Sequence, residues 1–278
     1  MKESNSRKKT ANNHKIKIDK KELKEKVDVK HKKRKVKRDV KFYIIEGIFL
    51  IIMLVSIFKI INWWNDNHKS KKNLDDVVKN IEIKKDDETG MEEYKVDFDS
   101  LKEKNADTIA YIKIKGTNIE YPIVKTSNND YYLTHSFDKT YNEAGWPFAN
   151  YLNTFDGNDK NITLFGHARL DGSMFGTLKN TLKSEWQSNE ENFKIKFITQ
   201  TEESEYQVFS TYRIKVEDYY IKSSFATTRE FETFVNTIKS RSNKDYGIDV
   251  SADDSILTLS TCDVNNDYRI VLHAKKIS

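Results

Sequence analysis

The only cysteine of the chain, Cys262, is the residue most able to do covalent chemistry. Without a second cysteine it cannot form an intrachain disulfide, and a structural zinc site would need further Cys or well-spaced His ligands. A lone cysteine is most often a small buried apolar residue. As a nucleophile it would need a basic or cationic neighbour, because an ordinary thiol has a pKa of about 8.5.

Arg269 is a candidate for that neighbour. Cys262 ends the strand-like run 256–261, and Arg269 lies near the start of the next strand-like run, 268–274. If the loop between them reverses the chain as a hairpin, Arg269 returns close to Cys262. Its guanidinium could then favour the thiolate and donate hydrogen bonds to a developing oxyanion. On spacing alone, Arg269 is equally compatible with a surface position in a strand.

Histidine is the usual base for a thiol because its ordinary pKa lies near 6.5. His167 follows the apolar run 161–165, and Gly166 permits a sharp turn before it. His135 and His273 are rivals, and spacing does not exclude His273, which would share a strand face with Arg269. The remaining histidines precede the predicted globular part: His14, His31 and His68.

Many short strands and few helices predict a mainly β fold, a closed barrel or a sandwich. Further strand patterns cover 109–114, 119–124, 193–199 and 205–215. Helical patterns cover about 174–183 and 228–240, and Thr227 with Glu230 resembles a capping box before the second. These elements leave about 180 residues for one globular domain.

The residues before this domain have a different composition. Residues 1–41 contain about eighteen Lys or Arg against about six Asp or Glu, which predicts a basic cytoplasmic tail. Residues 42–64 are apolar on every face and long enough to span a membrane, and no small-residue cleavage site follows them. We therefore expect an uncleaved signal anchor rather than a cleaved signal peptide or a core helix.

This anchor predicts a single-pass protein of the cell membrane, with its N-terminus cytoplasmic and its C-terminal part extracellular. We expect residues 65–95 to form a stalk and residues 96–278 the catalytic domain. Because the basic excess is confined to the tail, the folded domain is not predicted to bind nucleic acid. The tail itself could contact anionic lipids of the inner leaflet.

Several motifs together resemble those of the sortases, cysteine transpeptidases of Gram-positive cell surfaces. Residues 258–262 read Thr-Leu-Ser-Thr-Cys, similar to the family signature T-L-x-T-C, with an Arg seven residues later and a Gly-His pair about 95 residues earlier. The segments 121–124 and 129–133 are also typical of the family. Residues 165–176 and a long insert at about 217–250 resemble class B sortases in particular.

The resemblance implies a closed eight-stranded sortase β-barrel after an N-terminal transmembrane helix, and a two-step acyl transfer without a cofactor or a metal. Cys262 would attack the Thr carbonyl of a C-terminal sorting motif, of the N-P-x-T-x or S/P-P-x-T-G type, in a secreted protein. An amine of peptidoglycan, or of its lipid-linked precursor, would then resolve the thioacyl enzyme. His167 would transfer the protons, and Arg269 would stabilise the oxyanion.

The resemblance also implies a set of substrate-binding residues: Asn129, Leu133, Tyr220, Ile221 and Ser260. One departure is Val264, where some class B members have an acidic residue, so a carboxylate partner for His167 is not expected at that position. Two alternatives remain: a surface thiol protease that mainly hydrolyses its substrate, and a non-catalytic membrane-tethered binding module. The motif of L,D-transpeptidases is absent.

Overall fold

The computed structural model describes residues 39–79, 81–85, 92–262 and 267–278. For residues 83–85, 92, 93 and 262 it describes the backbone only. The predicted basic tail up to residue 38, and Val264, lie outside the described residues. The bounds that we predict for the tail, anchor, stalk and catalytic domain stay a prediction.

The first described element is one long helix, α1 (Val40–Val78). An 18-residue window within it has a mean hydropathy of 2.6 and no buried side chains, so this helix is long and apolar enough to cross a membrane. Among the described residues, those up to Ile57 and those from Phe58 onward belong to two separate compact units. The C-terminal half of α1 therefore belongs to the same unit as all later elements.

Two small elements lie between α1 and the main sheet. Strands β1 (Ile81–Lys85) and β2 (Glu92–Val96) pair antiparallel as a separate two-stranded sheet. Helix α2 (Phe98–Lys104) follows, and the side chain of Asp97 caps it by accepting a hydrogen bond from the Ser100 amide at 3.0 Å. An aspartate at this position satisfies a helix amide that would otherwise have no partner.

Eight strands then close into a barrel, which confirms the predicted fold class. Around the barrel their order is β10-β8-β7-β3-β4-β5-β6-β9, antiparallel except for the parallel pairs β4–β5 and β6–β9. The strands are β3 (Thr108–Ile114), β4 (Glu120–Val124), β5 (Phe148–Ala149), β6 (Asn161–Gly166), β7 (Lys194–Thr199), β8 (Glu203–Lys215), β9 (Ile256–Cys262) and β10 (Tyr268–Lys276).

The connections contain two short α-helices, α3 (Ser184–Gln187) and α4 (Thr228–Ser240). Helix α4 confirms the pattern at 228–240, and the Thr227 side chain accepts from the Glu230 amide at 3.2 Å, as the capping box predicts. Its four apolar side chains are buried against the outside of the barrel: Phe231, Phe234, Val235 and Ile238. The remaining helical turns are 3-10 helices: Tyr131–Leu133, Leu178–Leu182, Glu190–Phe193 and Tyr219–Ile221.

The helix expected at 174–183 is wrong for its first half. Met174 has a φ of 52° and forms an isolated bridge with Ala168, and only Leu178–Leu182 is helical, as a 3-10 turn. The Met174 amide donates to the Tyr121 hydroxyl at 2.9 Å instead of to a helical carbonyl. Burial of Met174 and Phe175 against the barrel therefore produces the apolar pattern that resembled a helix.

Candidate active site

The ends of three neighbouring strands bring the predicted catalytic positions together. Strands β6 and β9 run parallel with Gly166 opposite Thr261, so His167 and Cys262 follow side by side at the same end of the barrel. Strand β10 pairs antiparallel with β9, and Arg269 is the partner of Cys262 in that register. The hairpin that we expected between Cys262 and Arg269 is thus confirmed.

A cavity of about 430 Å³ opens at this end of the barrel. It is lined by every predicted site residue whose side chain the structure describes: Asn129, Leu133, His167, Tyr220, Ile221, Ser260 and Arg269. The side chain of Cys262 lies outside the described part of the chain. The structure therefore brings the predicted set to one place, and the roles of the individual residues stay a prediction.

The ring of His167 is held by a backbone carbonyl. Its Nε2 lies 2.8 Å from the Leu133 oxygen, which can only accept, so Nε2 carries the proton. Nδ1 is then the nitrogen of the neutral ring that can take up a proton. Leu133 ends the 3-10 turn that begins at Tyr131, so this turn fixes both the tautomer and the orientation of the ring.

Arg269 also lines this cavity and is the second residue of β10. Its Nη1 donates to the Tyr268 carbonyl at 3.0 Å, and its side chain is half-buried. The neighbouring Tyr268 ring is stacked against the guanidinium of Arg213, 3.6 Å from the ring centre. This stacking adds a cation–π contact that holds the start of β10 against β8.

The opposite wall of the cavity is the 3-10 turn Tyr219–Ile221. The Tyr220 hydroxyl lies 3.0 Å from Ser260 Oγ, which links this turn to β9. The side-chain amide of Asn161 donates to the carbonyls of Tyr220 and Lys222 at 3.1 and 2.9 Å, which links it to β6. The wall is therefore tied to β9, which ends at Cys262, and to β6, which ends immediately before His167.

Sequence reasoning did not single out several residues that also line the cavity. Two are aromatic, Phe148 and Phe165, and pack against each other with ring centres 5.4 Å apart. The others flank the predicted groove positions: Asp130, Val216, Glu217, Asp218 and Thr261. Five of these residues lie in segments that resemble the family: Asp130, Phe165, Glu217, Asp218 and Thr261. Nothing in the sequence pointed to Phe148 or Val216.

The rival histidines lie elsewhere in the structure. His135 stacks on Tyr131 with ring centres 4.0 Å apart, and its Nδ1 bonds the Tyr131 carbonyl. His273 is fully buried in the barrel wall, with Nε2 and Nδ1 each 2.8 Å from a hydroxyl, those of Tyr212 and Thr258. Neither histidine lines the cavity, so among the described histidines His167 is the one placed for chemistry there.

Burial lowers the pKa of His273 to about 3, from an ordinary 6.5, because the charged ring would be desolvated. Thr258 donates to Asn161 Oδ1 at 2.6 Å, so it accepts from Nδ1–H, and Nε2 accepts from Tyr212. Both ring nitrogens are thus satisfied in the neutral form. The folded protein holds His273 uncharged at every pH above about 3.

We expect His273→Gln to weaken the acid sensitivity of folding. The unfolded chain takes up a proton at His273 below pH 6.5 and the folded chain does not, so this stabilisation is complete above pH 6.5 and is lost as the pH falls towards 3. Between pH 7 and pH 5 the wild type should lose about 2 kcal/mol more unfolding free energy than the variant. Urea unfolding at the two pH values measures this difference, and equal losses would contradict it.

No cluster of three or more His, Cys, Asp or Glu side chains suited to a metal ion occurs within the described residues. The cavity instead offers one histidine, one arginine, hydroxyl and amide groups beside the end of β9, and the carboxylates of Asp130, Glu217 and Asp218. Such a set can move protons and stabilise a negative charge on oxygen. Acyl transfer through a thiol needs both of these functions.

Comparisons with known proteins agree with this chemistry. The family profile described as "Sortase domain" matches residues 112–277. A sortase B of Listeria monocytogenes is 31% identical over 246 residues, which are 84% of this chain and 97% of that relative.

Solved structures match as well. Sortase B from Bacillus anthracis, in complex with AAEK1, gives a TM-score of 0.66 at 29% identity, over 79% of this chain and 99% of that one. A Staphylococcus aureus sortase B–substrate complex gives 0.61 at 30% identity, over 65% of this chain and 84% of that one.

Proposed function

Because the chain belongs to the sortase family, with class B relatives over most of its length, we propose that it joins secreted proteins to the cell wall through a thioacyl intermediate on Cys262. Sortases are cysteine transpeptidases of the cell surface that act on sorting-signal proteins and peptidoglycan amines. The observation that carries the proposal is the register of β6, β9 and β10, with His167, Cys262 and Arg269 at three adjacent strand ends.

In the first half of the proposed reaction the Cys262 thiolate attacks the carbonyl carbon of Thr in the sorting motif. The peptide bond after Thr breaks, and the leaving amine takes a proton from His167. Arg269 donates hydrogen bonds to the oxyanion that develops on the carbonyl oxygen. The turn that holds Nε2 leaves Nδ1 of His167 as the nitrogen that exchanges this proton.

In the second half an amine of the peptidoglycan cross-bridge, or of its lipid-linked precursor, attacks the thioacyl carbon. His167 takes the proton of the amine, the new amide bond forms, and the Cys262 thiolate leaves. The groove for the sorting motif is proposed to run between the Tyr219–Ile221 turn and the segment from Asn129 to Leu133. The apolar part of α1 would hold this site at the outer face of the membrane.

In the test, the full-length chain in detergent micelles is incubated with quenched peptides of the N-P-x-T-x, S-P-x-T-G and L-P-x-T-G types. We expect the N-P-x-T-x peptide to be cleaved fastest, and an added glycine oligomer or diamine to divert the acyl product into an amide. Mass spectrometry separates amide from acid. Peptides with Val in place of Thr are the control, since they keep the shape and lose the hydroxyl. Cleavage that yields only acid at any amine concentration would identify a hydrolase instead.

A further inference from the structure

One turn of α1, Asp66–Ser70, contacts the catalytic unit on both sides of His167. It lies within the compact unit that begins at Phe58 and follows directly on the apolar part of the helix. Ser70 is only 5% exposed, and farther along the helix Val77 is buried in the main core at 1% exposure. The part of this helix that we expected to be a stalk is thus packed against the barrel.

The first contact passes through Asn142, which has no exposed surface. Its side-chain amide donates to the Asp66 carbonyl at 3.1 Å and to Ser70 Oγ at 3.0 Å. The Asn142 carbonyl in turn accepts from the Gly145 amide at 2.9 Å. Asn142 therefore fixes the position of the 142–145 turn relative to the helix.

The Gly145 end of this turn lies next to His167. A methyl group placed on Gly145 would lie 3.1 Å from Cδ2 of His167 and 2.9 Å from the Leu133 carbonyl, the group that holds Nε2. The backbone of Gly145 is thus in close contact with both the ring and its anchor. The space beside Gly145 does not admit even a methyl group without displacing its neighbours, so the position of this turn bears on the imidazole and on the carbonyl that holds it.

The second contact passes through Arg169, two residues after His167. The Arg169 guanidinium donates to Asn67 Oδ1 on the same helical turn, and its side chain is 12% exposed. The Arg169 amide donates to the His167 carbonyl at 3.1 Å. Asn67 therefore holds the segment that leaves the histidine, as Ser70 holds the turn that packs on its ring.

From these two contacts we propose that the Asp66–Ser70 turn is a positioning element for His167. Through this turn, α1 helps to hold the histidine in the orientation that the reaction needs. Asn67 acts through Arg169 and Ser70 through Asn142, and neither of the two helix residues lines the cavity. The inference rests on the proposed role of His167 in proton transfer. It assigns to α1 a function besides that of a membrane anchor.

The test uses the full-length chain in lipid nanodiscs, labelled with ¹⁵N-histidine. The Nε2–H signal of His167, assigned by its loss in His167→Gln, reports the bond to Leu133. In the double variant Asn67→Ala/Ser70→Ala we expect this proton to exchange with water about tenfold faster. With the N-P-x-T-x peptide, kcat should fall about five- to tenfold while KM changes less than about twofold, because misplacement of a catalytic group affects the chemical step.

Two further variants separate positioning from simple loss of stability. Asn67→Asp/Ser70→Thr keeps both acceptors and should restore the signal and kcat. Val77→Ala opens a cavity beneath the same helix and should lower the unfolding free energy without changing either readout. An unchanged Nε2–H signal in the double alanine variant, or the same loss in Val77→Ala, would overturn the proposal. If the wild type cleaves no peptide, the proposed function fails, and the signal still tests the contact.

Discussion

Cys262→Ala is expected to lower peptide cleavage by at least about 10³-fold while the barrel remains folded. The substitution removes the only thiol of the chain, and the remaining groups at the cavity cannot form a thioacyl intermediate. The residual rate should come from binding and from oxyanion stabilisation by Arg269. The measurement is kcat/KM for the peptide that the wild type cleaves fastest.

The control for this variant is binding of the uncleaved peptide. Alanine keeps the backbone bonds between β9 and its two neighbours, so the melting temperature and the peptide Kd should stay close to those of the wild type. Iodoacetamide should label the wild type once and the variant not at all, since the chain has a single cysteine. Cleavage at the wild-type rate in the unlabelled variant would refute a thiol mechanism.

The local part of the site was predictable from the sequence. The distance in sequence between Cys262 and Arg269 allowed a hairpin that would bring them together, and the observed register pairs these two residues. Strand patterns located β9 and β10, and the helical spacing of four apolar residues located α4, each within about two residues. These features depend on residues that are close in sequence, where periodicity and turn length suffice.

The long-range part was not predictable from spacing. The parallel pairing of β6 with β9 places His167 beside Cys262, although 95 positions separate them, and only the family resemblance pointed to that pair. The strand position of His273 did not exclude it, because the alternation of residues along a strand does not show whether another element packs over either face. The structure excludes it by burial, since α4 and its neighbours cover the barrel wall there.

The burial of the segment before the catalytic domain was likewise not predictable from its apolar pattern. Its apolar positions are sparse, Leu74 and Val77 among them, which resembles a solvated stalk. In the structure Val77 enters the main core and Lys104 donates to the Asp76 carbonyl at 2.8 Å. A helix needs only one narrow apolar stripe when hydrogen bonds from neighbouring elements, such as Lys104 of α2, complete the contact.

Gly145→Ala is expected to impair the site more than its small size suggests. Gly145 has a φ of 62°, and an added Cβ would lie 2.5 Å from the Tyr132 carbonyl and 2.9 Å from that of Leu133. The left-handed backbone alone costs alanine about 1–2 kcal/mol, and the clash should add about 1–3 kcal/mol. The Leu133 carbonyl must move, so His167 loses its anchor, and kcat should fall by about 10²-fold.

Gly247→Ala is the matched control, because Gly247 has a φ of 67° and nothing within 4 Å of an added Cβ. Both variants bear the same backbone strain, and only Gly145→Ala presses on the turn beneath His167. Gly247→Ala should therefore lose about 1–2 kcal/mol of unfolding free energy and keep its kcat. Equal kcat values for the two variants would mean that the Leu133 carbonyl does not govern the histidine. A loss confined to Gly145→Ala identifies this contact as the means by which the fold orients His167.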